Sequence, residues 1–203
     1  AYSFLEKTKL SFSGHESFPF RFGWLPKGVQ QVMQYEDLFA REDTVVILGV
    51  GKNMVTSIQH WTKTLEMVNS PAKGKYSPTE MGRLLFAEDG WDPYLEDPGT
   101  LWLIHWLLTS RIETSSTWYL AFTVWNSNEF LRVVLEDWLL KYAAQSPNTR
   151  VTAASMHRDV EVFLRTYISG SSNRNLMAED TFDCPLVDLG LIEEIDRGLY
   201  RFV

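Results

Sequence analysis

Three groups of residues in this 203-residue chain have the types and spacing to do chemistry. His15 beside Glu16 could relay a proton or share a metal ion. In the run Glu88-Asp-Gly-Trp-Asp-Pro-Tyr-Leu-Glu-Asp-Pro98, Asp92, Glu96 and Asp97 offer the hard oxygens that Mg²⁺ or Mn²⁺ would need for phosphodiester hydrolysis. The third group is Lys52, Asn53, Thr56, His60 and Lys63, whose spacing places them along one side of a helix where they can meet base edges or phosphates. Arg21, Lys27 and Lys73 add cations for a phosphate backbone, and the arginine can hold an anion bidentately.

The third group needs a helix to carry it. Met54, Ile58, Trp61 and Leu65 recur at i, i+4, i+7 and i+11, an apolar stripe that packs on a core and leaves the polar side free. Before it stand the apolar run Thr44–Leu48 and Gly49, which can take the positive φ of a sharp interhelical turn. The pattern reads as the turn and second helix of a helix-turn-helix, or as an ordinary amphipathic helix after a glycine turn. It is not a phosphate loop, because Gly49-Val-Gly-Lys-Asn lacks the first glycine and the four-residue spacing of that motif. Asn69–Gly74 is turn-rich and could form a wing that brings Lys73 and Lys75 to flanking phosphates.

The other two groups have plain alternatives. Around His15, the rings of Phe18, Phe20, Phe22 and Trp24 can plug an apolar surface while Glu16 pairs with Arg21. Asp97-Pro98 is a helix cap followed by proline at the first helical position, and Asp92-Pro93 is a turn starter. His105 lies in an apolar helix and reads as a satisfied core histidine.

The remaining segments supply scaffold. Residues 28–40 read as a helix, Ser77-Pro-Thr-Glu80 as a cap opening another, and Trp118–Trp125 as strand or buried helix. Two helices follow, with stripes at Leu131, Val134, Leu135, Trp138, Leu139 and Tyr142 and at Met156, Val160, Phe163, Leu164 and Tyr167; they form a second helix-turn-helix or a plain αα-hairpin. Ser169–Asn175 is a loop, and Asp196-Arg-Gly198 is a hairpin turn. The expected fold is mainly α with small β-hairpins (α+β). A winged helix-turn-helix-like domain over 1–90 precedes a helical domain over 91–203 that ends in a hairpin. A strand running to Val203 reads as a domain cut short at its C-terminus.

Composition narrows the class. Apolar residues are 45% and charged residues 22%, ordinary globular values. No run approaches a membrane span and no export signal opens the chain, which reads as cytoplasmic. The single Cys184 excludes an intramolecular disulfide and a multi-cysteine zinc site. A net charge of −7 opposes simple polyanion binding. Residues 41–75 alone carry an excess of cations, with Arg41, Lys52, Lys63, Lys73 and Lys75 against Glu42, Asp43 and Glu66. Such a patch implies weak, salt-sensitive binding, or help from a metal ion or a basic partner.

Four ordered motifs resemble one bacterial family: Phe12-Ser-Gly-His-Glu-Ser-Phe-Pro-Phe-Arg-Phe-Gly-Trp24, Leu48-Gly-Val-Gly-Lys-Asn-Met-Val55, Asp92-Pro-Tyr-Leu-Glu-Asp-Pro98 with Leu101-Trp-Leu-Ile-His-Trp106, and Glu179-Asp-Thr-Phe-Asp-Cys-Pro-Leu186. They are similar to the SspB-type DNA nickases of bacterial DNA phosphorothioation modification and defence systems. The resemblance implies DNA binding, and nicking of one strand for sulfur incorporation. It also implies partners: a cysteine desulfurase, an ATPase and an ATP pyrophosphatase-like sulfur-transfer enzyme. It assigns no catalytic residues. The residues themselves put His15 and Glu16 first for chemistry and Asp92, Glu96 and Asp97 first for a divalent metal. The alternative is a non-catalytic winged-helix DNA-binding adaptor or transcriptional regulator.

Overall fold

The computed structural model describes residues 8–169 and 184–203, which fall into two compact units. Gly14–Ile104 forms the first; the second takes the chain up to Ser13 together with His105–Val203. Most of the Ser169–Asn175 loop and the acids at 179, 180 and 183 lie outside the described residues.

The first unit opens with α1, Trp24–Gln34, which buries Trp24, Leu25, Val29 and Val32. This helix starts earlier and ends sooner than the 28–40 reading: Tyr35 is extended, and Leu38–Ala40 makes a separate 3-10 turn. α2, Thr44–Leu48, stops at left-handed Gly49 (φ 64), and α3, Lys52–Thr64, begins two residues later from Gly51. Val68–Ala72 (β1) and Lys75–Pro78 (β2) pair antiparallel, with Val68 opposite Pro78 and Ala72 opposite Lys75. Two short helices across a glycine turn, followed by a hairpin, is the expected order of elements.

α4, Glu80–Phe86, shifts the expected cap. Thr79, not Ser77, accepts the helix N–H of Gly82 and also donates to the carbonyl of Glu66. Ser77 and Pro78 remain in β2 because the strand pairs through them to Asn69 and Val68. Beyond α4, the N–H groups of Trp91 and Asp92 donate back to the carbonyls of Leu84 and Leu85, and Leu95 is fully buried. These ties carry the first unit past residue 90 to Ile104.

α5, Pro98–Ser110, contains the division between the units. Trp118–Trp125 resolves as helix, with α6 spanning Ser116–Thr123. α7, Arg132–Ala143, buries Leu135, Leu139 and Ala143 but leaves Val133 and Val134 exposed, a narrower stripe than the spacing indicated. α8, Ala153–Tyr167, buries all five of its stripe residues and is capped by Thr152. A 3-10 turn, Pro185–Leu189, leads to β4, Ile192–Asp196, and β5, Leu199–Phe202. β3, Glu129–Leu131, joins the other edge of β5, giving the antiparallel order β3-β5-β4.

Residues 8–11 are stitched to this second unit. Leu10 N–H donates to Thr149 Oγ1 at 2.9 Å, Ser11 N–H to Ser116 Oγ at 2.7 Å, and Ser146 Oγ to the Thr8 carbonyl at 2.8 Å. The architecture is α+β, helices with two small antiparallel sheets, as expected. No helix among the described residues is long and apolar enough to cross a membrane.

Gly82 marks where α4 meets the strand entry. A Cβ there would stand 2.2 Å from the Met67 carbonyl oxygen, a backbone atom that cannot rotate away. Gly82→Ala should therefore destabilise the protein by roughly 1–3 kcal/mol, read as a melting temperature several degrees lower; an unchanged melt would show that α4 is not held this closely.

Candidate nucleic-acid interface

α3 is oriented by what it buries. Ile58, Trp61 and Leu65 are completely inaccessible, and each such side chain contributes roughly 1.5–3 kcal/mol by leaving water. Turning that stripe inward turns Lys52, Asn53, Thr56 and Lys63 outward, where all four are exposed. Lys52 and Lys63 make no ion pair among the described residues, so their charge is available. Gly51 gives α3 no side-chain cap, leaving its first-turn N–H groups without a carboxylate or hydroxyl acceptor. Lys27 Nζ donates to the Leu48 carbonyl at 3.1 Å, tying α1 to the C-terminal end of α2. In this position it braces the turn.

The hairpin carries a further exposed lysine. Lys73 is exposed at its tip, whereas Lys75 is paired with Glu36. Tyr76 is held from below, its hydroxyl accepting from Gln59 Nε2 of α3 at 2.7 Å. Helix and hairpin thus share a hydrogen bond that fixes the tip relative to the exposed face. Arg21 lies with its guanidinium over the Phe18 and Trp24 rings, 5.7 and 5.5 Å from their centroids. This anchors its plane.

His60 departs from the expected set. Its ring turns inward, 5.9 Å from the ring of His15, and a Cβ added to Gly14 would lie 2.6 Å from His60 Nδ1. The loop at 14–17 covers it. Helical spacing put His60 beside Lys63, but the loop lid was invisible in the stripe. Burial, then the neighbouring His15 and Lys63 charges, push its pKa down to about 3.

His15 itself is 4% exposed. Its ring stacks on Trp61 with centroids 6.1 Å apart, and its Nδ1 accepts from the Ser17 N–H at 3.2 Å. In the neutral ring the proton then sits on Nε2. Glu16 is exposed and, like Ser17, has a left-handed backbone, φ 50 and 64, in a turn closed by Phe18 N–H to the His15 carbonyl. The pair is adjacent in sequence but divided between core and surface. In this arrangement His15 packs rather than faces solvent.

Two acids of the second group, Asp92 and Asp97, serve the backbone. Asp92 is buried; its Oδ1 accepts from Glu96 N–H at 2.8 Å and its Oδ2 from Asp97 N–H at 3.1 Å. Asp97 Oδ1 accepts from Gly99 N–H at 2.6 Å in the first turn of α5. Glu96 is exposed. Among the described residues no group of three or more His, Cys, Asp or Glu side chains could hold a metal ion, so Asp92, Glu96 and Asp97 do not fit a divalent cation as a set. Capping is the chemistry Asp92 and Asp97 perform here. His105 is satisfied as expected, its Nδ1 2.9 Å from the buried Tyr167 hydroxyl, and burial pushes its pKa down to about 4.

Residues 12–203 match a family described as protein of unknown function, DUF4007. No curated protein matches the chain. Among solved structures it is similar to a magnesium ion-bound crystal structure of SspB, with a TM-score of 0.86, and to a further SspB crystal structure, with a TM-score of 0.85. Each is 32% identical in sequence, with 98% of this chain and 62% of the SspB chain covered. This chain thus spans somewhat under two thirds of the SspB length.

The His60 environment carries a pH signature. Because the folded ring resists protonation until about pH 3 while an unfolded imidazole takes a proton near pH 6.5, its contribution is fully present above about 6.5 and declines as pH falls toward 3. Between pH 6.5 and 5 this one group should cost at most about 2 kcal/mol of stability. His60→Gln should flatten the curve over that window in urea melts; parallel wild-type and variant curves would mean that His60 protonates freely.

Proposed function

The chain belongs to the DUF4007 family and shares the SspB fold, and on that footing we propose that it is a DNA-binding component of a phosphorothioation modification and defence system. The observation that carries the reading is the exposed face of α3, Lys52, Asn53, Thr56 and Lys63, set between a glycine turn and a hairpin tip bearing Lys73. The reading takes this as a winged-helix arrangement in which α3 enters the major groove, Asn53 and Thr56 meet base edges, and Lys52, Lys63 and Lys73 neutralise phosphates. Arg21 and Lys27 support the backbone contact from α1 and the segment before it. The uncapped start of α3 favours an anion at the same end as Lys52.

The surrounding acidity sets the character of binding. Three or four lysines release few counterions, so affinity is modest and falls with salt along a shallow slope of about −3. The cysteine desulfurase, ATPase and ATP pyrophosphatase-like enzyme of such a system are the proposed partners that convert this docking into modification. Nicking of one strand for sulfur incorporation is the activity proposed for the SspB-type protein as a whole. His15 and Glu16 take part by shaping the loop against α3. One observation favours a second reading, a non-catalytic adaptor: both oxygens of Asp92 are already engaged by backbone N–H groups.

Two measurements separate these readings. In fluorescence anisotropy with a labelled duplex, Lys52→Ala with Lys73→Ala should weaken binding several-fold and reduce the salt slope by about 2, one for each phosphate deprived of its lysine. An unaltered slope would remove α3 and the hairpin from the interface. Supercoiled plasmid incubated with the protein and Mg²⁺ or Mn²⁺ should yield nicked circles under the nickase reading and stay supercoiled under the adaptor reading.

A further inference from the structure

The second unit holds a cavity of about 430 Å³ that the DNA-docking face does not use. It lies where the segment after α6 passes β5. Aromatic residues wall it: the Phe122 ring stands edge-on to Phe202 at 5.2 Å and to His105 at 4.8 Å, and Trp125 continues the wall. The shielded Trp125 indole N–H has no acceptor among the described residues. Asn126 and Asn128 give the lining its polar edge; both are exposed, and neither carboxamide has a partner among the described residues.

The lining chemistry selects the ligand. No lysine, arginine or carboxylate side chain lines the cavity, so nothing there balances the charge of a phosphate. His105 is neutral at physiological pH, backed by the Tyr167 hydroxyl. An aliphatic ligand would meet the ring faces but leave both carboxamides unanswered. Carboxamides present a donor and an acceptor side by side, which matches the edge of a heteroaromatic base, and ring faces supply stacking for it.

The geometry points to a binding site for an uncharged nucleobase, stacked among Phe122, Trp125 and Phe202 and read at its edge by Asn126 and Asn128. Where the base belongs to DNA, the assignment rests on the docking reading above, and the occupant is an unpaired or extruded base of the bound strand. A free nucleoside offers the same ring, so the two sources need separate arms.

The test uses 2-aminopurine as probe, once as the free riboside and once within a single-stranded oligonucleotide, with the whole chain titrated in. A saturable change in probe fluorescence is expected in both arms. Asn126→Ala with Asn128→Ala should weaken it at least about tenfold, the discrimination of one bidentate contact, with melting temperature and duplex anisotropy unchanged. Lys52→Ala with Lys73→Ala should leave riboside binding intact. Binding of the riboside without the oligonucleotide would support the site with a free nucleoside as its ligand. No saturable response in either arm at millimolar probe, or a response indifferent to the asparagine changes, would overturn the site. Loss of duplex binding alone would count against the docking face and not against this cavity.

Discussion

The first unit depends on the placement of one side chain, Trp61. It is completely buried, its Nε1–H donates to the Phe18 carbonyl at 2.9 Å, and its ring meets Phe20 edge-on at 5.7 Å and His15 in a stack. Leaving a buried indole N–H unanswered costs about 1–3 kcal/mol. Here the acceptor comes from bringing the loop at 14–20 down onto α3. That packing fixes the rotation of α3 about its axis. It also half-buries His60, orders the Phe18 ring on which Arg21 rests, and leaves Lys52, Asn53, Thr56 and Lys63 outward.

This constraint separates what the chain displays from what it conceals. The two histidines of the first unit look reactive in sequence, yet their rings lie together beneath a glycine-containing turn, one stacked on Trp61 and one beside it. Desolvation keeps His60 neutral well below neutral pH. The packed imidazole pair acts as a spacer between loop and helix. Titratable residues held this way contribute to shape more than to proton transfer.

Much of the fold was legible because it follows from periodicity and turn chemistry. The α3 stripe, the left-handed Gly49, the Asp97-Pro98 start of α5 and the Asp196-Arg-Gly198 hairpin each depend on neighbours within a few residues. What stayed open or was misplaced turned on contacts that spacing does not carry. Ser77 looked like a cap until pairing with Asn69 held it in a strand. The Trp118–Trp125 run had no period to classify it, being buried on several sides. His60 lay on the polar side of its helix, and only a loop more than forty positions away closed over it. The carboxylates at 92–97 have the composition of a metal loop, but backbone N–H groups within five residues reach Asp92 first.

The electrostatic design then follows from economy of charge. With a net charge of −7, a broad basic surface is unavailable, so any polyanion must be met locally. α3 and the hairpin concentrate exposed cations on a small rigid patch, while Lys75 and Arg41, which belong to the same basic segment, are consumed by Glu36, Asp37 and Asp43. Under the proposed docking, what remains would position a duplex without holding it tightly. A protein so arranged gains selectivity from the polar side chains between its lysines, because weak phosphate contacts leave base-edge contacts a larger share of the total. Asn53 and Thr56 occupy that place on α3, one turn apart and flanked by Lys52 and Lys63, so the same burial of Trp61 that orients the helix also decides which polar residues it presents to solvent.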